Sequence, residues 1–170
     1  MAIFDRSEIL IREDIEYWNI PEINNDILAK ETLKHIDDRV SEDEYTPWVE
    51  DTIIDDEAPE TTKLIKEIKS ILTYKGLEMQ GIWGQIHRKY ESTQLHDHVP
   101  DFAWVYYVKT PPKAGPLMIK LRRANYPMHT IRIQPQAGQL VMFSHWIEHQ
   151  VNKNLDDEYR ISIAGNAVFK

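Results

Sequence analysis

From residue 80 to the end, short runs rich in Val, Ile, Tyr, Phe and Trp alternate with Pro, Gly, Asn and Asp. Eight such runs fall near 80–89, 93–98, 102–109, 116–122, 129–134, 139–144, 147–151 and 159–168. The intervals are too short for crossover helices. A βαβ protein is therefore excluded, and a sandwich or barrel is expected. QPQAG (Gln134 to Gly138) reads as a turn in which Gly138 supplies a positive φ.

The first part of the chain has a different texture. Residues 21–39 carry Ile27, Leu28, Leu33 and Ile36 at loose helical intervals, and an acidic, turn-rich stretch over residues 41–60 reads as loop. TTKLIKEIKSILTYKG (Thr61 to Gly76) is the clearest helix, with Leu64, Ile65, Ile68, Ile71 and Leu72 on one face and Gly76 as a stop signal. That face needs a partner, most simply a sheet. The net charge of −8 is unevenly spread: residues 1–60 hold 19 of the 28 acidic and five of the 20 basic residues, a balance of −14, and the remainder carries +6. The basic part is suited to anions, and the acidic part to a rim favouring basic substrates.

Composition closes several routes. There is no Cys, so disulfides, thiol chemistry and Cys-based zinc sites are excluded. No apolar run reaches membrane-spanning length and no leader opens the chain, so a soluble, unprocessed cytoplasmic protein is expected, in the host cytoplasm if viral. KLRR (Lys120 to Arg123) is the only compact basic cluster, small for a nucleic-acid groove.

STQLHDHVPDF places His96 and His98 on either side of Asp97. In a strand, residues i and i+2 share a face, so both imidazoles would project together and could chelate a divalent metal. A third ligand must come from elsewhere. FSHWIEHQVNKN offers His145 and His149; it reads as strand, corner and strand, with His149 opening the second. His87 and His129 sit in strand-like runs and His35 in a helix, unconnected to the pair. In EYRISIAGN, Arg160 and Ser162 share a face if the segment is a strand. A guanidinium forks onto a carboxylate, and a neighbouring hydroxyl completes the grip. An inward Arg is costly unless an anion meets it; the alternative is an exposed Arg paired with Asp157 or Glu158.

Together, LHDHVP, WVYYVKTPP, QPQAGQLVMF, HWIEHQVNKN and RISIAGN resemble the iron(II)- and 2-oxoglutarate-dependent oxygenases, most closely a prolyl 4-hydroxylase-like group of tailed phages and bacteria. The likeness spans roughly residues 80–169, and residues 1–79 carry no family signal. It implies a mainly β fold, a double-stranded β-helix (jelly roll) core with N-terminal helices packed on one sheet. Residues 1–79 would be an acidic, partly helical elaboration and 80–170 the catalytic core of one structural domain.

The resemblance also implies roles. Iron(II) would be held by His96, His98 and His149, with His98 standing where most of the superfamily has Asp or Glu; Asp97 serves only if the strand alternation breaks. Arg160 would bind the far carboxylate of 2-oxoglutarate, with Ser162 as hydroxyl helper. Tyr106 or Tyr107 is a further candidate for that carboxylate, and Asn166 is either a hydrogen-bonding neighbour of the site or a structural residue. The implied activity is hydroxylation of an unactivated C–H bond, first in a protein or peptide side chain such as proline, then in a small molecule, then in nucleic acid. Two alternatives stand: a non-catalytic jelly-roll module of a virion or assembly, and a three-His, cupin-like dioxygenase without 2-oxoglutarate. Oligomeric state is left open.

Overall fold

A computed structural model describes residues 15–37, 45–48, 58–121 and 129–170. Most of the acidic stretch expected to form a rim, the His35 side chain, and Arg122 and Arg123 of the basic cluster lie outside that description. The described elements are β1 (Ile15–Asn19), α1 (Asn25–Asp37), β2 (Tyr45–Trp48), α2 (Pro59–Tyr74), β3 (Leu77–His87), β4 (Thr93–His96), β5 (Phe102–Lys109), β6 (Leu117–Leu121), β7 (His129–Ile133), β8 (Gln139–Ser144), β9 (Glu148–Val151) and β10 (Arg160–Phe169). All eight expected strands are present. Two more were not expected: β1, and β2 inside the stretch read as loop. The boundary placed after residue 79 falls within β3.

The strands form two antiparallel sheets. The major sheet has the order β1-β8-β5-β10-β3-β2 and the minor sheet β4-β9-β6-β7. This is the jelly-roll arrangement, and residues before 80 contribute both edges of its larger sheet. No described helix is long and apolar enough to cross a membrane.

The major sheet is covered on both faces. Outside, Leu28 of α1 and Leu64, Ile65, Ile68 and Leu72 of α2 pack on Ile82, Ile86, Trp104, Tyr106, Leu140, Met142, Ile161 and Ile163. Inside, Ala103, Tyr107, Val141 and Phe143 meet Leu117, Ile119, Ile133 and Val151 of the minor sheet. Alternate residues of β5 and β8 therefore serve different cores. That is why FAWVYYV is apolar throughout.

The helix layer is locked by a buried carboxylate. Pro59 opens α2 where a missing N–H costs nothing. Glu31 of α1 accepts the N–H of Glu60 (3.1 Å) and of Thr61 (2.8 Å), and the Thr61 hydroxyl (2.7 Å). An acidic group thus caps the positive end of α2 from a neighbouring helix. At the β7–β8 turn, Gly138 takes the expected left-handed conformation (φ +87°), and its N–H donates to Tyr107 O at 2.9 Å.

Gly165 of β10 is required for space. A Cβ there would lie 2.2 Å from Trp104 Cζ2 and 2.3 Å from the Gly81 carbonyl oxygen. Backbone cannot yield as a flexible side chain can. Gly165→Ala should lower stability by about 1–3 kcal/mol, read as a shift of the urea midpoint at unchanged slope.

Candidate active site

Register brings the distant histidines together. β4 is an edge strand of the minor sheet and pairs with β9 so that His96 lies opposite His149. β4 is shorter than expected and ends at His96. His98 follows in a loop, where its N–H donates to the His145 carbonyl (3.3 Å). His145 in turn donates its N–H (3.0 Å) and Nδ1–H (3.1 Å) to the Asp101 carbonyl. His145 therefore fixes the loop.

One ring nitrogen from each of His96, His98 and His149 forms a set within 4.8 Å of one another. Asp97 lines the same cavity but is not in that set. The tautomers follow from the partners. Nδ1 of His96 donates to Gln94 O (2.8 Å), and Nδ1 of His149 to Ile147 O (3.1 Å). A carbonyl only accepts, so Nδ1 carries a proton in both rings, and in the neutral ring Nε2 is left with the lone pair a metal ligand needs. The Nε2 atoms of His98 and His149 are 3.3 Å apart. Two nitrogens each about 2.1 Å from one cation, roughly at right angles, stand about 3 Å apart.

His149 and His98 are held toward the neutral form. Burial, then the neighbouring His96, pulls His149 down to about 3. Burial and His96 also lower His98, against opposing effects of Asp97 and Asn166. Asn166 lies near enough to act on His98, but it does not line the cavity and its buried Oδ1 has no hydrogen-bond partner. Phe143 meets His149 edge-on at 4.7 Å, and Trp83 stacks near His98 at 6.0 Å.

Across the cavity stands Arg160, 1% exposed, with no carboxylate paired to it among the described residues. Its Nη1 donates to His87 Nδ1 (3.1 Å) and Ser162 Oγ (3.3 Å). Its Nε is buried without a partner. A buried cation costs several kcal/mol unless a charge meets it, so the site is suited to receive an anion. The cavity, about 410 Å³, is lined by the three histidines, Arg160 and apolar groups including Trp83, Leu117, Phe143 and Val151.

The two tyrosines separate. Tyr106 points to the helix layer, where its hydroxyl donates to Asn25 Oδ1 at 2.9 Å. This removes Tyr106 from the cavity, because successive residues of β5 face opposite ways. Tyr107 faces inward, and Arg160 Cζ lies 5.4 Å from its ring centroid. Its buried hydroxyl has no partner, and burial pushes the phenol up to about 12, against the pull of Arg160.

Three further residues belong to the site. Arg160 only donates, so His87 Nδ1 must accept, and the ring proton sits on Nε2, which donates to Thr93 Oγ1 at 2.9 Å. Gln85 Nε2 donates to the same oxygen at 2.7 Å. With both lone pairs taken, the Thr93 hydroxyl is left to donate to the cavity it lines. Nothing in the sequence marks His87. It meets Arg160 only because β10 pairs with β3 in a register that sets Arg160 opposite His87.

A jelly roll whose cavity sets three clustered histidines opposite a buried guanidinium has the donors for a divalent metal and for a carboxylate, the equipment of a metal-dependent oxygenase with a carboxylate co-substrate. Residues 81–166 match the family described as "Putative 2OG-Fe(II) oxygenase", and the chain belongs to that family. It is an iron(II)- and 2-oxoglutarate-dependent oxygenase. No curated protein sequence matches it.

Among solved structures it is similar to a Pseudomonas putida prolyl-4-hydroxylase, with TM-score 0.68, 15% identity and 96% of each chain covered. It is also similar to the non-heme alpha ketoglutarate dependent carbocyclase SnoK from nogalamycin biosynthesis, with TM-score 0.66, 12% identity, and 98% of this chain and 85% of that one covered. A third is the viral collagen prolyl hydroxylase of Paramecium Bursaria Chlorella virus-1 in its 2OG complex, with TM-score 0.64, 13% identity, and 92% and 96% covered. At such identities the likeness is one of fold.

Burial, then Arg160, holds His87 down at about 3. The unfolded chain therefore binds a proton that the folded chain does not, between about pH 6.5 and 3. Stability from this group is present above pH 6.5 and falls by about 1.4 kcal/mol per pH unit below it. In metal-free protein, His87→Asn should flatten the fall of urea stability between pH 7 and 5. An unchanged slope would contradict a neutral buried ring.

Proposed function

We propose that the chain hydroxylates an unactivated C–H bond in a protein or peptide side chain such as proline, converting 2-oxoglutarate and O2 to succinate, CO2 and the hydroxylated product. The single observation behind this reading is the buried Arg160 with its unpartnered Nε, facing three clustered histidines across one cavity. The residues fit the groups. His96, His98 and His149 would hold iron(II), which when bound supplies the redox chemistry of oxygen activation. Three neutral ligands leave the site one negative charge short of the usual two-His, one-carboxylate set.

The chain's own residues do the rest. Arg160 receives the far carboxylate of 2-oxoglutarate, which supplies the missing anion. His87 and Ser162 hold the Nη1 side of the guanidinium still, leaving its other donors for the ligand. Thr93 offers a pre-aimed O–H from the same wall. Trp83, Phe143 and Val151 keep water from the reacting centre. His96 is exposed, so the cluster can be reached from solvent by a side chain carried on a larger molecule. A non-catalytic module would have no use for an inward guanidinium without a counterion, nor would a dioxygenase that dispenses with 2-oxoglutarate.

Anaerobic titration of the iron(II) protein with 2-oxoglutarate should raise a weak visible charge-transfer band. Arg160→Ala should weaken 2-oxoglutarate binding by about two orders of magnitude, as expected for a buried charge-assisted pair. Unchanged affinity would remove Arg160 as the anchor. His98→Ala should abolish the band while Asp97→Ala keeps it; the reverse result would make Asp97 the second ligand.

A further inference from the structure

A second cavity, about 900 Å³, opens beside the first and shares Thr93, Gln94 and Val151 with it. It crosses one end of the minor sheet: the start of β4, the end of β9, the start of β6 and the end of β7. Its charge has one sign. Among the described residues, Lys113, Arg132 and Lys153 line it, and no Asp or Glu does. Asp156 lies beside Lys113, but its carboxylate accepts the backbone N–H groups of Lys113 and Glu158.

The floor of the groove is built. A Cβ on Gly115 would sit 1.8 Å from the Asn152 carbonyl oxygen, so only glycine lets the strap before β6 lie against the strand end. Asn152 N–H donates to Pro116 O (3.0 Å), and Leu155 N–H to Lys113 O (3.0 Å). Gln134 Nε2 donates to Ala114 O at 3.3 Å, and its Oε1 accepts Arg132 Nη2 at 3.4 Å. Arg132 and Lys113 are thus carried on fixed backbone.

The lining separates two kinds of polyanion. Among the described residues it contains no aromatic side chain, so it offers no platform there on which bases could stack. It does carry the amides of Gln94, Gln134, Gln150 and Asn152, which match the donors and acceptors of a peptide backbone. From Thr93 to His96 an extended chain advances about 10 Å, roughly three residues.

We propose that this groove is the docking site for the primary substrate and takes an acidic polypeptide segment, its carboxylates meeting Lys113, Arg132 and Lys153 while a residue about three or more positions away reaches the histidine cluster. This rests on the oxygenase reading above and names the substrate class for that site. The acidic stretch expected to form a rim favouring basic substrates lies mostly outside the described residues, and the groove agrees with the other sequence-based expectation, that the basic part handles anions. Charges on a substrate are read by the groove that leads to the cavity, not by the average charge of the chain.

The test uses the full chain with Mn(II) and 2-oxoglutarate. Fluorescein-labelled peptides carry one central proline and an Asp/Glu cluster three to five residues to either side; matched probes replace the cluster with Lys or with Gln, and an oligothymidylate carries equal negative charge. Fluorescence anisotropy at low and raised salt should show the acidic peptide binding about tenfold tighter than the Lys and Gln probes, with the advantage shrinking in salt. The K113E/R132E/K153E variant should abolish that advantage while still binding 2-oxoglutarate. Equal binding of the peptides, preference for Lys, or tighter binding of oligothymidylate would overturn the proposal. If the triple variant does not fold, K113Q, R132Q and K153Q are read singly, and an acidic-peptide affinity unchanged in all three overturns it. Loss of 2-oxoglutarate binding by the wild-type protein would instead overturn the oxygenase reading.

Discussion

A guanidinium sealed inside a jelly roll, with no carboxylate among the described residues to meet it, is the constraint around which the interior is organised. Arg160 is buried, and the available partners are neutral: His87, Ser162 and the ring of Tyr107. Such a charge is tolerable only if the fold earns its cost when an anion arrives. The surrounding groups respect that charge. His87 presents a lone pair because burial and the guanidinium together keep it unprotonated. Thr93 is left as a donor because His87 and Gln85 occupy its lone pairs. One buried cation therefore determines the direction of a chain of hydrogen bonds along the cavity wall.

The rigidity behind this arrangement comes from covering the major sheet twice. Its outer face is closed by α1 and α2, its inner face by the minor sheet. Arg160 and Ser162 face in while Ile161 and Ile163 anchor the same strand to the helices. Displacing Arg160 along β10 would drag those isoleucines out of a filled core. The metal-ligand candidates sit differently. His149 is buried on β9, but His96 is on an exposed edge strand and His98 in a loop pinned through His145. The guanidinium end of the cavity is held by packed strands, and the histidine end is open to solvent at His96.

Much of this was legible in the chain. The eight runs after residue 80 became eight strands because each combines β-formers with turn residues at its ends. The α2 helix was legible from its apolar stripe, and Gly138 from its turn. β1 and β2 were not, since they are short edge strands whose pairing partners lie far along the chain. The choice between Tyr106 and Tyr107 was closed to sequence reasoning. Alternation marks a face only when one face is polar, and here both are buried.

The sequence by itself determined the strand-rich core, the supply of imidazoles and a guanidinium, and the absence of thiol chemistry, because local propensity and residue type are properties of short stretches. Only the tertiary structure decided which histidines meet, that His87 belongs with Arg160, that His145 does not join the cluster, and that basic side chains collect in a groove beside the cavity. Those outcomes depend on register between strands distant in sequence, where a one-residue slip turns every side chain to the opposite face.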